Sequence, residues 1–381
     1  MTKIKQRCAS GPKDRPEWRS TTVALMLAAV AVAVASLVGV GVSTGGGYAP
    51  WQDRASSLAR SVGLGSVLDT VANWVYSLDK PGNSQPDVLA LGVTLPGTPI
   101  AGVSAQRSGL PALTESSGHL GWREVSGTPG DTPSVYTTFV QPDPSRHSIV
   151  VAVALMRSSF LEAHLAVGTV QPVRSHVQAR IPNGDVPNLV TAFNSGLKMS
   201  AHPGGFYLNG KTLVPLVDGR ASAVVDDVGH LTMGEWGRDV RMTSHVTAVR
   251  QNLALIVDHG QQIAGLDRNV NNRWGSPRSQ FQYTWRSGLG TTANGDIVYV
   301  VGDKLNLTTL AAALVDAGAT TGMELDVHRG QQSFTAWTTD PSGRTRGPHK
   351  LMTTMGGPID RYVSPDARDF FYFTLRTGPP K

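Results

Sequence analysis

The most informative run of hydrophobic and polar positions lies between Trp285 and Trp337. Ile297 to Val301 is apolar almost throughout, as a buried strand requires. The pair Asn294-Gly295 just ahead of it predicts a two-residue hairpin turn, because both residue types tolerate positive φ. Asn306 is a candidate N-cap, and Leu307 to Ala317 reads as a helix closed by Gly318. The stretch from Met323 to His328 then alternates strictly. Side chains alternate across a strand, which predicts Met323, Leu325 and Val327 on one face and Glu324, Asp326 and His328 on the other. Three ionisable groups on one face are costly to bury, so that face either lines a wet cleft or lies open to solvent.

Elsewhere the period of two recurs. Val135 to Val140 and Ile149 to Leu155 read as strands around the turn Pro142-Asp143-Pro144. Phe160 to Val167 is a short helical or extended piece, and Ser222–Val225 with His230–Met233 forms a hairpin. Val23 to Val42 is different, an almost unbroken apolar run that spans roughly 30 Å as a helix. With a basic flank before it, this run predicts a single-pass cell-membrane protein whose C-terminal part is extracytoplasmic. A cleavable signal peptide ending near Ala33-Val34-Ala35 is the alternative. The expected organisation is a cytoplasmic basic tail over 1–20 and a transmembrane anchor over 21–43. An amphipathic segment with a Pro/Gly/Ser-rich linker covers 44–120, and the folded domain covers 121–381. The expected fold class is α+β: mixed, strand-rich twisted sheets with a few packing helices, preceded by one N-terminal transmembrane helix.

Composition changes this picture in two places. The net charge of +6 is concentrated at the start, where the first twenty residues hold six Lys or Arg against one Asp and one Glu. The remainder is nearly neutral, so charge predicts no nucleic-acid partner. The one cysteine, Cys8, precedes the apolar run, which excludes disulfides and thiol nucleophiles from the domain.

Four segments place polar groups in strand-like surroundings. In the first, Asn194 and Lys198 suit a sugar hydroxyl and a phosphate, and Tyr207 follows the Gly204-Gly205 pair; a plain turn with a surface lysine fits equally. In the second, Arg250 and Asn252 share a strand face with Asp258 at its far end, an arrangement suited to an anion or to an edge strand with a surface ion pair. Arg286-Ser287 is the third, and the Glu324, Asp326 and His328 face is the fourth. Together they offer arginines for an anion and carboxylates for acid–base or nucleophilic work. No Walker loop, nucleophile elbow, zinc-helix motif or dinucleotide fingerprint is present.

The succession Phe193-Asn194-Ser195-Gly196, Gly205-Phe206-Tyr207, Arg286-Ser287-Gly288-Leu289-Gly290 with Asn294-Gly295, Leu310 to Gly318 and Glu324-Leu325-Asp326 resembles the phosphodiester glycosidase family, in an actinobacterial form. The likeness runs from about Gly121 to Arg376. Where that family closes its last strand with Leu-Asp-Gly-Gly-Gly-Ser, this chain keeps Leu325-Asp326 and continues Val327-His328-Arg329-Gly330. The resemblance implies hydrolysis of a sugar-1-phosphodiester or a related cell-envelope glycan linkage, with no organic cofactor and no assigned metal. It implies Asp326 or Glu324 as the catalytic carboxylate and Arg250, Arg286 and Lys198 on the phosphate. Asn194, Asn252 and Tyr207 would orient the sugar, with His328 and Asp258 as further contacts. The competing readings are a glycan-binding module without turnover and an accessory protein of exopolysaccharide assembly.

Overall fold

The computed structural model describes residues 97–101, 105–106, 108–112, 121–127, 133–174, 179–199, 204–276, 280–339 and 345–376, with residues 63 and 81–83. Strands β1 (Thr98–Pro99), β2 (Arg123–Gly127), β3 (Pro133–Val140) and β4 (Val151–Met156) form a meander. After it come β5 (Leu161–Ala166) and β6 (Leu189–Asn194). Strands β7 (Phe206–Leu208), β8 (Lys211–Val214), β9 (Ala221–Asp226), β10 (Leu231–Glu235) and β11 (Val246–Gln251) make a five-stranded sheet in the order β10-β9-β11-β7-β8. Then follow β12 (Val257–Asp258), β13 (Gln261–Gln262), β14 (Thr284–Thr292), β15 (Ile297–Leu305), helix α1 (Leu307–Asp316) and β16 (Ala319–Val327). They complete a nine-stranded sheet, β1-β2-β3-β4-β15-β14-β16-β12-β13. The last strands, β17 (Phe334–Thr339), β18 (Thr345–Lys350) and β19 (Phe370–Leu375), join β5 and β6 in a third sheet, β18-β17-β6-β19-β5.

The nine-stranded sheet is buried on both faces, which explains why β4 and β15 read as continuous apolar runs rather than alternating ones. On one face Val151, Val153, Leu155, Val298 and Val300 meet Leu307, Leu310, Ala311 and Leu314 of α1. On the other, Ala152, Ala154, Tyr299, Leu289, Met323 and Leu325 pack against both smaller sheets, including Phe193, Phe371, Phe373, Phe206 and Ala223. The helix starts where its cap places it. Asn306 Oδ1 accepts from Thr309 N at 2.9 Å, and Thr309 Oγ1 accepts from Asn306 N at 2.9 Å.

The expected α+β class is corrected by this arrangement. Among the described residues α1 is the one α-helix described from end to end, with Ala105 and Gln106 also helical and short 3-10 turns elsewhere, and the fold is a layered, strand-built structure. The sheets are not mixed either: among the described residues every strand ladder is antiparallel. The physical reason is segment length. Apolar runs of six to nine residues ended by Gly, Pro or polar turns are too short for packed helices and long enough for strands, as in the extended β5. Among the described residues no helix is long and apolar enough to cross a membrane, and the expected span over 21–43 lies outside them. The 294–295 turn differs in detail. Thr292 N donates to Asp296 O, so three residues form the loop, and only Gly295 takes positive φ (79°).

Candidate functional site

The three sheets meet at one corner, and six strands supply its side chains at or near their ends. Asn194 ends β6 and pairs with Phe370, so Arg368 and Asp369 lie beside Ser195 and Gly196. Phe334 pairs with Phe193, which brings Gln332 and Ser333 to the same corner. From the large sheet come Ser287 and Asp326, and from the small sheet Arg250 to Asn252 at the end of β11.

Asp326 reaches this corner through a β-bulge. Arg286 pairs with Val327 and Gly288 with Glu324, so Leu325 and Asp326 together oppose the single residue Ser287. The expected common face of Glu324 and Asp326 is thereby broken. Glu324 stays with Arg286, whose Nη1 is 2.5 Å from Oε1, while Gln280 Nε2 donates to Oε2 at 3.1 Å. Asp326 instead accepts from Asn194 Nδ2 (2.8 Å) and Arg368 Nη2 (3.1 Å). Asn194 is held in turn, its Oδ1 accepting from the Tyr299 hydroxyl (2.8 Å) and from Ser333 N (3.1 Å). Burial raises the pKa of Asp326; Arg368 and the Asn194 hydrogen bond oppose the rise, and the nearby charge of Asp369 adds to it.

A second ion pair stands beside the first. Arg250 Nε donates to Asp369 Oδ2 at 2.6 Å, and Ser195 Oγ donates to the same oxygen at 2.5 Å. Asp369 is also buried, but Arg250, Arg368 and Ser195 outweigh desolvation and hold its carboxyl below the usual range. The turn from Ser195 to Leu197 is clamped between the pairs. Arg368 Nη2 donates to Gly196 O (2.6 Å), Arg250 Nη2 to Leu197 O (2.6 Å) and Asn252 Nδ2 to Ser195 O (3.1 Å), while Asn252 Oδ1 accepts from Leu197 N (3.0 Å).

Of the residues singled out in the sequence, the fold gathers Asp326, Asn194, Asn252 and Arg250 into this network. Lys198 and His328 lie at its border, each next to a member of the Leu197, Leu253 and Val327 contact. Arg286 and Glu324 form a separate buried pair, with Arg286 Nε donating to Leu305 O at 2.8 Å. Tyr207 packs with Val224, Trp236 and Val249 on the outer face of the small sheet. Asp258 pairs with Arg238 (2.8 Å) at the surface. Arg368, Asp369 and Gln332 belong to the network without having been singled out, and Ser195 and Ser287 join it from quoted segments in which they carried no assigned role. One signal for the first two was present: a charged pair directly abutting the apolar run Phe370 to Phe373 must find a buried partner. Among the described residues no three His, Cys, Asp or Glu side chains gather into a metal-binding group.

No family model matches the chain, and no curated protein does. Solved structures similar in chain trace include the following three. The catalytic domain of zebrafish N-acetylglucosamine-1-phosphodiester alpha-N-acetylglucosaminidase, auto-inhibited by its pro-peptide, is 12% identical, with 68% of this chain and 88% of that one covered at a TM-score of 0.43. A hypothetical protein from Synechocystis is 12% identical over 64% and 62% of the two chains at 0.34. An exported protein from Burkholderia pseudomallei K96243 is 12% identical over 61% and 75% at 0.32.

Proposed function

We propose that this chain hydrolyses a glycosyl phosphodiester, with Asp326 as the carboxylate that acts on the attacking water or on the anomeric carbon. The observation that carries the reading is the paired network in which Asp326 and Asp369 share Arg368 while burial raises one carboxyl and cations lower the other. Two carboxyls pushed apart in this way are suited to different roles in one reaction. A raised carboxyl is also a better proton acceptor than an ordinary aspartate. Asn194, fixed by Tyr299 and Ser333, holds Asp326 in one orientation. Lys198 and Arg329 border the corner beside His328 and offer positive charge for a phosphate. Gln332 Oε1, buried beside Asp326 with no hydrogen-bond donor, is an acceptor suited to a sugar hydroxyl. The sugar-phosphodiester class itself comes from the family resemblance of the sequence.

A second reading, a glycan-binding module without turnover, draws on burial. Asp326 is 4% exposed, and Arg250 and Arg286 (1% and 0%) direct guanidinium donors to protein acceptors. The test is product release from a panel of glycosyl-1-phosphodiesters by the wild type and Asp326→Asn, with melting temperature as the folding control. Loss of the positioned carboxylate is expected to lower the rate at least about a hundredfold. A folded Asp326→Asn protein with full activity removes the residue from the reaction. Binding without hydrolysis across the panel favours the module.

A further inference from the structure

We propose that Asp369 is a positioning carboxylate for Asp326, sharing the guanidinium of Arg368 with it and anchoring the Ser195–Leu197 turn through Ser195 and Arg250. The inference deepens the hydrolase reading and rests on it for the identity of the reacting carboxylate. Its geometry is two ion pairs side by side, Asp326 with Arg368 at 3.1 Å and Asp369 with Arg250 at 2.6 Å, and the charge of Arg368 also acts on the neighbouring Asp369. Arg368 and Asp369 are consecutive, so the guanidinium that contacts Asp326 and the carboxylate that attracts it are carried by one backbone segment at the start of β19.

Two further contacts tie this segment to the turn. Ser195 Oγ donates to the Asp369 carbonyl at 2.8 Å as well as to its carboxylate, and Arg368 holds Gly196 O. Arg368 Nη1 also donates to Gln331 Oε1 at 2.8 Å, which links the turn to the loop following Val327. Asp369 therefore sets how far Arg368 is drawn from Asp326. Its second oxygen, Oδ1, is buried without a hydrogen-bond partner, so the compensation of its charge falls on Arg250 and Arg368. Removing that charge acts on Asp326 twice in the same direction. It deletes a repelling anion, and it frees Arg368 to pair with Asp326 alone.

The other groups facing Asp326 are accounted for. Asn194 comes from β6, Ser287 from β14 and Tyr299 from β15. Tyr362 comes from the segment before β19, next to Arg361, which is paired with Asp366 at 2.6 Å. Burial holds both tyrosines neutral, above their ordinary range, so neither titrates in the same window.

The experiment is a carbon-13 NMR titration of the full-length chain labelled at aspartate carboxyl carbons. Asp326 is identified as the resonance missing in Asp326→Asn, and Asp369 as the one missing in Asp369→Glu. In Asp369→Asn the Asp326 midpoint is expected to fall by about one pH unit, the scale of a single nearby charge, while Asp369→Glu keeps it near the wild-type value. If Asp326 works ionised, the limb where rate falls on acidification moves to lower pH with it. An unchanged midpoint in folded Asp369→Asn overturns the proposal. If that variant does not fold, Arg368→Lys decides: sharing predicts that both aspartate midpoints rise, and a rise at Asp326 alone overturns it. A wild type that hydrolyses nothing overturns the hydrolase reading, and the titration still decides this one.

Discussion

At Gly196 the backbone has φ 146°, and a Cβ added there would stand 2.0 Å from Asn252 Oδ1, where no atom fits. That carboxamide lies against the backbone because it bonds both Ser195 O and Leu197 N. Gly196→Ala should therefore cost about 1–3 kcal/mol of stability. Asn252→Ala leaves two backbone groups unpaired and should cost a similar amount. Both changes act on one contact, so the double variant should cost less than the two singles added together, read from urea midpoints. Strict additivity would mean the two residues do not share a contact. Residue chemistry of this kind was partly legible in advance. Asn194 and Asp326 stood out because polar groups on buried-looking strands need partners. Asp369 also abuts a buried-looking strand, and what no spacing reveals is its partner, Arg250, 119 positions away.

At the scale of elements, local signals were read where they act locally. The cap at Asn306 and the run from Ile297 are properties of a few consecutive residues, and α1 and β15 lie there. The bulge that separates Glu324 from Asp326 has no such signature, because it is a register relation between β14 and β16. Strict alternation in the sequence predicted a shared face, and the cross-strand register overrode it. The capping box offers a test confined to its element. Asn306→Ala removes the acceptor for Thr309 N and should destabilise the protein by about 1 kcal/mol. Helix α1 covers the face of the large sheet opposite the one that packs on the smaller sheets, so activity per folded molecule should not change. Thermal melting and rate measured on one sample separate these effects; a loss of rate without a loss of stability would couple the helix to the site.

At the scale of the whole molecule the fold depends on pairings between distant strands, β5 and β6 with β19 and β17 with β6, which bring the ends of the sequence-quoted segments to one corner. Composition marks the polar, Pro-rich stretch before residue 121 as linker, yet the described residues between 97 and 112 pack on the sheet. Strand β1 pairs with β2, Ile100 N donates to Trp122 O (3.0 Å), and Trp122 Nε1 donates to Pro111 O (3.0 Å). Ala105 and Leu110 are buried in the cluster under α1, and Arg157 Nη2 donates to Ser108 O. A chain starting at residue 116 loses all of these and exposes Trp122, whereas one starting at residue 97 keeps them. Burial of one leucine alone contributes about 1.5–3 kcal/mol. For a domain of this size each kcal/mol moves the melting temperature by roughly 2–4 °C. The shorter chain should therefore melt at least about 5 °C below the longer one, by circular dichroism at equal concentration, and should expose its indole to quencher. Equal melting temperatures would show that residues 97–112 rest on the sheet without stabilising it.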